Sequence, residues 1–379
     1  MRIKSSLSSY EETAPVFLSS LGSFKSIQLF LDHILEQASL AGALNQRINH
    51  ECYLAYGLHA SEVQTIETFS RAEPADRLWD DELGPPKESV VLQRFVSYFV
   101  GCIFGRWDIR FATGERQPPE LPGPFDPLPA CPPGMLQGPD GLPAKREDVL
   151  SSYPLRIDWG GILGDDSEHG DDIVRSIRKV LEIIWKDRAE AIKKAACEIM
   201  GLRELRDYFR KPGNGGFWMD HIKRYSKSRR KAPIYWYLRS AKGNYGLWLY
   251  YHRLDKDILF KALINYVEPK IRLEEDRLNT MRARKEKAGR SGREVKQIEK
   301  EIDRQEQFVS ELRDFEDKLR RAANLNLVPD LNDGVVLNIA PLWELVPWKE
   351  AKEYWEELIE GKYEWSGIGK QLREKGLIK

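Results

Sequence analysis

Two short runs of alternating aromatic and aliphatic residues stand near the middle of the chain, from Pro233 to Arg239 and from Leu247 to His252. They are joined by a segment that contains Gly243, Asn244 and Gly246. A period of two, bounded by Gly and Asn, predicts a β-hairpin. Successive side chains of a strand point to opposite faces. The first strand then has Ile234, Trp236 and Leu238 on one face, and Tyr235, Tyr237 and Arg239 on the other.

Elsewhere the apolar positions recur at spacings of three and four, which predicts helices. The segments with this pattern are residues 14–56, 89–104, 171–185, 188–209 and 349–360. Residues 60–87 are acidic and contain Gly84, Pro85 and Pro86 close to their end, which predicts a linker. Residues 117–143 are rich in Pro and Gly and predict an irregular segment. A short strand and turn are expected within residues 153–166.

A highly charged stretch, residues 268–323, predicts a pair of long helices. Positions in it step alternately by three and four along Val295, Ile298, Ile302, Gln305, Val309 and Leu312, and all of them except Gln305 are apolar. Gly289 and Gly292 interrupt it and favour an antiparallel coiled-coil hairpin. One continuous helix is the alternative, although each glycine costs about 1 kcal/mol relative to alanine. Most charges are expected on solvated faces of this arm.

The composition limits which partners, metal sites and locations can be expected for this chain. Lys plus Arg and Asp plus Glu both number 59, so the net charge is zero and any case for a polyanionic partner must rest on local charge. The four cysteines form no CxxC pair and are expected to be reduced thiols. The histidines do not pair at ligand spacing, so no metal site is predicted. No apolar run reaches the length of a membrane span, and a cytoplasmic location is expected.

The segment before the hairpin is strongly basic. Six of the nine positions 223–231 are cations: Lys223, Arg224, Lys227, Arg229, Arg230 and Lys231. A cationic loop beside aromatic strands suits nucleic acid, whose phosphates attract cations and whose bases stack on rings. The alternative is a solvated basic loop beside an ordinary buried hairpin. Asp220 and His221 are interpreted as helix-capping and phosphate-facing groups.

Several stretches give the chain a family resemblance. They are INHECYLAYGL (48–58), VSYFVGCIFGRWDIR (96–110), LRDYFRKP (205–212), DHIKRYSKSRRKAPIYW (220–236), LYYHR (249–253) and LNDGVVLNIAPL (331–342). In this order they resemble the C-terminal half of large adenine-specific DNA methyltransferases of the phage-exclusion type (BREX/PglX-like), relatives of single-chain restriction-modification methylases. The resemblance covers about residues 45–345.

The resemblance implies a division of labour. In that family the C-terminal half holds the DNA target-recognition region, and the N-terminal half holds the S-adenosylmethionine site and an Asn/Asp-Pro-Pro-aromatic loop for the flipped adenine. The three Pro-Pro pairs here, at 85–86, 118–119 and 132–133, lack those neighbours. No catalytic or metal-ligating residue and no cofactor is therefore assigned to this chain. S-adenosylmethionine is expected in a catalytic half elsewhere.

These observations predict an α+β fold, predominantly α-helical, with a small β-hairpin/sheet recognition core and an antiparallel coiled-coil helical hairpin. The expected divisions are an N-terminal helical linker region (1–88), a helix with the Pro/Gly-rich segment (89–150), the α+β recognition region (151–267), the coiled-coil hairpin (268–323) and a tail with short helices (324–379).

The function expected from the resemblance is recognition of double-stranded DNA. The expected contacts are the six cations of 223–231, with Tyr235, Trp236, Tyr237, Lys242 and Asn244 lining or supporting the groove face. Further expected partners are a separately encoded catalytic half or other defence-system subunits, and no membrane. Two alternatives stay open: a protein-interaction adaptor that uses the coiled-coil arm, and a working methyltransferase.

Overall fold

A computed structural model describes residues 87–117, 134–227, 230–287 and 292–378, with scattered positions within 28–64 and 125–132. The helix predicted at 14–56 and the linker at 60–87 lie largely outside the described residues. The remainder is predominantly helical with a small antiparallel sheet, as predicted for the fold class. Backbone contacts divide the chain into two compact units.

The first unit comprises residues 1–159, 175–207 and 226–230. Its helices include α1 (Glu88–Ile103), α2 (Arg110–Thr113) and α4 (Ala189–Ile199), and most of α3 (Ile173–Trp185) belongs to it. Phe99 of α1 meets Trp185 edge-on, with ring centroids 6.2 Å apart. The buried carboxylate of Asp108 is bound by Arg110 at 2.7 Å and Arg116 at 2.9 Å, because a buried charge requires partners.

The helix predicted over 188–209 is interrupted in the structure. α4 ends before Gly201, whose φ is +68°, and α5 (Leu205–Arg210) follows. The amide of Leu202 donates to the carbonyl of Cys197 at 2.9 Å, and that of Gly201 to Glu198 at 3.1 Å. This is a Schellman cap, which a glycine with positive φ makes possible. The single-helix prediction is therefore wrong at this point.

The second unit comprises residues 160–174, 208–225 and 231–379. Its sheet has the order β1–β5–β4, with β1 (Ile162–Gly164), β4 (Tyr235–Arg239) and β5 (Gly246–Tyr250) all antiparallel. Apart from this sheet, two shorter strands, β2 (Ser226–Lys227) and β3 (Arg230–Lys231), form a separate pair, of which residues 226–230 belong to the first unit. The predicted hairpin is confirmed as β4–β5, although its second strand ends at Tyr250 and a 3₁₀ turn occupies Tyr251–Arg253.

Helices cover both faces of the hairpin. α6 (Phe217–Arg224) brings Phe217 within 5.0 Å of Trp248, measured between ring centroids. On the other face Trp236 and Leu249 line a small cavity together with the helix residues Ile258, Leu259 and Ala322. Because both faces are covered, every residue from Tyr235 to Leu238 and from Gly246 to Tyr250 is buried. This explains why aromatics occur on both faces of the alternating pattern.

Two long helices and several short ones complete the unit. After α7 (Ile258–Ala262) and a π-helical turn (Leu263–Val267) come α8 (Glu268–Lys287) and α9 (Arg293–Asn324), then α10 (Val335–Ile339), α11 (Lys349–Ile359) and α12 (Gly367–Glu374). Ion pairs join α8 to α9 in opposite sequence order, for example Arg320–Glu268 at 3.0 Å and Lys285–Glu299 at 2.9 Å. The two helices are therefore antiparallel, and we call them the helical arm. Coiled-coil packing of this arm and the five-part division of the chain stay predictions.

Candidate nucleic-acid interface

Helix α6 carries the first two residues of the basic segment. It follows Gly216, where a Cβ atom would lie only 2.0 Å from the carbonyl oxygen of Lys211, so the chain must turn there without a side chain. One face of the helix is buried. As a result the last turn presents Lys223, which is exposed, and Arg224, which is half-buried. The buried face consists of Phe217, Trp218, His221 and Ile222.

His221 fixes α6 to the start of strand β4. Its side chain is fully buried, and Nε2 accepts hydrogen bonds from the backbone N–H of Ile234 at 2.9 Å and of Tyr235 at 3.0 Å. Two donors aimed at Nε2 assign the ring hydrogen to Nδ1. The prediction of a phosphate-facing group is therefore wrong for His221, which instead holds the helix that bears the cations.

Asp220 lies among these cations. It accepts a hydrogen bond from the hydroxyl of Tyr208 at 2.9 Å. Burial raises the pKa of the Asp220 carboxyl above its ordinary range, and the Tyr208 hydrogen bond and the charges of Arg224 and Lys223 only partly oppose this. Lys223 donates from Nζ to the Oδ1 of Asn214 at 2.8 Å. Within the described part of the chain, neither Lys223 nor Arg224 forms a salt bridge.

The other predicted cations fall in or beside the β2–β3 pair. The side chains of Lys227, Arg230 and Lys231, and all of Arg229, lie outside the described residues. Their assignment to a nucleic-acid interface stays a prediction.

The three predicted aromatic contacts lie in the core. Tyr235, Trp236 and Tyr237 are exposed by only 1%, 2% and 0%. Tyr237 stacks on Trp248 with ring centroids 4.4 Å apart and planes 7° from parallel. Because these rings are covered by protein, a nucleic-acid base cannot stack on them. They pack inside the protein as part of its core.

Lys242 and Asn244 lie in the six-residue turn between β4 and β5, at the end of the hairpin opposite to α6. This turn is bound to the middle of α9 through Glu311. The Glu311 carboxylate accepts hydrogen bonds from Ser240 Oγ at 2.5 Å, the Lys242 amide at 2.8 Å and Asn244 Nδ2 at 2.7 Å. Lys242 Nζ donates to Gln307 at 3.2 Å. The structure therefore places Lys242 and Asn244 at the other end of the hairpin from Lys223 and Arg224.

Glu311 has a structural importance that the sequence did not indicate. Burial raises the pKa of its carboxyl, but the hydrogen bonds from Ser240, Asn244 and the backbone outweigh this and hold the pKa below its ordinary range. Glu311 is one of many acids on α9, and its partners are 67 to 71 positions away. No local pattern distinguishes it.

A polar cleft of about 690 Å³ opens beside the turn. Lys270 lines the cleft and binds Asp166 at 2.9 Å and Glu274 at 2.8 Å. Arg210, also in the lining, binds Asp165 at 2.5 Å. Most of its charged groups are therefore neutralised within the protein. Among the described residues there is no cluster of His, Cys, Asp and Glu able to hold a metal ion.

Comparison with known proteins gives the family context. No family model matches the chain. Over 276 residues, 68% of its length, it is 24% identical to adenine-specific methyltransferase BrxX of Escherichia coli O9:H4 (strain HS). Over 281 residues, 69% of its length, it is 26% identical to adenine-specific methyltransferase PglX of Lacticaseibacillus casei (strain Zhang). The chain is distantly similar in sequence to adenine-specific methyltransferases.

The likeness covers only part of each relative. The aligned region is 20% of the BrxX protein and 21% of the PglX protein, so the chain spans about a fifth of the length of the curated relatives it matches. The predicted family is supported at this level. Within the described residues, no helix is long and apolar enough to cross a membrane.

Proposed function

We propose that this chain is the DNA-recognition part of an adenine-specific DNA methyltransferase of a phage-defence or restriction-modification system. Methyl transfer and S-adenosylmethionine binding then belong to a catalytic part outside these 379 residues. The proposal is supported by the distant similarity to two adenine-specific methyltransferases and by the absence from the sequence of an Asn/Asp-Pro-Pro-aromatic motif.

The observation that supports DNA binding is that Lys223 and Arg224 form no salt bridge among the described residues. Cations of the helical arm such as Arg282 and Lys285 are paired with carboxylates of the neighbouring helix. Lys223 and Arg224 have no such partner among the described residues, and His221 holds their helix against the hairpin. Charges presented in this way can bind phosphates.

Phosphate contacts give affinity and orientation but do not read sequence. In this proposal Arg229, Arg230 and their basic neighbours are further phosphate contacts. Base recognition then requires other side chains. The buried rings of Tyr235, Trp236 and Tyr237 give the hairpin beside α6 a rigid core.

The test is a duplex-binding titration at several salt concentrations. The logarithmic slope of affinity against salt falls by about 0.9 for each phosphate that the protein ceases to neutralise. From that relation we expect R229A/R230A to reduce the slope by about one to two units. The matched control is R320A/R321A, which removes two adjacent arginines that are paired with Glu268, Glu316 and Glu344. An equal slope in both variants would contradict the assigned role.

The alternatives have separate readouts. If the chain does not bind duplex DNA at low ionic strength but retains another protein in a pull-down, it acts as an adaptor. A chain that transfers labelled methyl groups to adenine unaided contains its own catalytic site, and the division of labour proposed above is then wrong.

A further inference from the structure

A row of cations follows one face of α9. Lys296, Lys300 and Arg304 are spaced by four residues, so they lie above one another on the helix and span about 12 Å. All three are exposed. We call these three residues the α9 track.

The α9 track differs from the other cations of the helical arm. Among the described residues Lys296, Lys300 and Arg304 form no salt bridge, whereas Arg282 binds Glu306 at 2.7 Å and Arg313 binds Glu275. Two acids close to the track in sequence have other partners: Glu299 binds Lys285 at 2.9 Å, and Glu301 accepts from Gln297 at 3.0 Å. Asp303, which precedes Arg304, forms no salt bridge with the track among the described residues.

This arrangement is unfavourable for an isolated helix. Like charges four residues apart repel each other, and alternating acids and bases at this spacing would stabilise α9. Elsewhere α9 has such pairs of opposite charge four residues apart, as in Lys318–Asp314 and Arg320–Glu316. The three successive cations of the track therefore repel one another, and binding of a polyanion would relieve that repulsion.

Lys296 and Lys300 lie on the face of α9 that points away from the apolar contact with α8, and Arg304 lines the polar cleft that Lys270 and Glu274 of α8 also line. Ile298 and Ile302 are buried against Leu278 of α8, and they lie roughly opposite to Lys300 at 100° per residue. Gln307, which receives Lys242 from the hairpin turn, is seven residues after Lys300 and shares its face. The track thus runs along the helix to the turn, and Arg304 lines the polar cleft beside it.

We propose that the α9 track, with Lys242 at its end, is a second binding surface for the phosphate backbone of duplex DNA. This inference rests on the proposed function, because it takes DNA as the partner. It makes the helical arm a contacting element, and not only a spacer. The three cations are regularly spaced along the helix, which favours a partner with regularly spaced negative charges. A single acidic side chain would neutralise only one of the cations.

The test compares two triple variants that remove the same charge from the same arm. K296Q/K300Q/R304Q removes the α9 track, and R282Q/K285Q/R313Q removes three cations that are paired. Glutamine keeps helix propensity and much of the side-chain length, so both variants are expected to fold. Circular dichroism and thermal unfolding check this.

We expect removal of the track to reduce the salt slope by about two to three units and duplex affinity by on the order of a hundredfold near 0.15 M salt, if each cation meets one phosphate. The paired triple is expected to change affinity by less than about threefold, because cations already neutralised by carboxylates contribute little to phosphate binding. Equal reductions in the two variants would show that net charge alone is responsible and overturn the inference.

Two further outcomes separate the proposals. If the wild-type chain binds DNA and R229A/R230A lowers the slope while the track variant does not, the inference fails and the proposed function stands. If the wild-type chain does not bind DNA, both fail. An acidic protein partner retained by the wild type but not by the track variant, with DNA affinity unchanged, would also overturn the inference.

Discussion

Glu311 accepts a hydrogen bond from the side-chain amide of Asn244 at 2.7 Å, although the two residues are 67 positions apart. The same carboxylate binds the hydroxyl of Ser240 and the backbone of Lys242. One buried acid on α9 therefore defines the conformation of the hairpin turn, and with it the position of Lys242.

Substitution of Glu311 is expected to destabilise the protein. In E311Q one oxygen becomes an NH₂ group that faces donors, so the free energy of unfolding should fall by about 1–3 kcal/mol at pH 7. The measurement is urea unfolding, with E306Q as the control, because Glu306 makes an exposed pair with Arg282. Destabilisation of equal size in E311Q and E306Q would contradict a special role for Glu311.

The pH dependence of this effect has a definite sign. The pKa of Glu311 is lower in the folded protein than its ordinary value. Its contribution is therefore complete above the unfolded pKa, about 4.3, and disappears as the pH falls through the folded pKa. The stability difference between wild type and E311Q should accordingly shrink below about pH 4.3. A difference that grows on acidification would contradict this account.

Asp220 is expected to behave in the opposite way. Its pKa is raised in the folded protein, so ionisation is unfavourable there, and stability falls as the pH rises from the unfolded pKa through the folded one. Above that window D220N should be as stable as the wild type or slightly more stable. It should also bind duplex DNA several-fold more tightly, because a negative charge beside Lys223 and Arg224 is removed.

Chemical unfolding at pH 7 and a duplex titration check the two parts of this prediction. D314N serves as the control, since Asp314 forms a surface pair with Lys318 and lies on α9. Destabilisation of D220N by more than about 1 kcal/mol would mean that the ionised carboxylate is a net stabilising group.

Gly216 is expected to tolerate no side chain. A Cβ there would lie 2.0 Å from the Lys211 carbonyl oxygen, so G216A must displace the start of α6. We expect destabilisation by about 1–3 kcal/mol, as for overpacked sites, together with weaker DNA binding. G213A is the matched control, because a Cβ at Gly213 meets nothing within 4 Å. Thermal unfolding of both variants tests this, and equal melting temperatures would disprove the close approach.

The sequence by itself determined the local elements. Alternation over 233–239 and 247–252 predicted the hairpin, and spacings of three and four predicted α1, α11 and the two helices of the arm. These patterns can be read because a strand or helix repeats every few residues. The misplaced end of β5 and the break at Gly201 are local too, but they depend on caps and turns that periodicity does not describe.

Only the tertiary structure decided which side chains are accessible. The alternating pattern could not show that helices cover both faces of the hairpin and bury Tyr235, Trp236 and Tyr237. Residue spacing also could not separate the paired Arg282 from Arg304, nor identify Glu311 as the anchor of the turn. The physical reason is that burial and ion pairing depend on partners far away in sequence, and the fold alone brings these partners together.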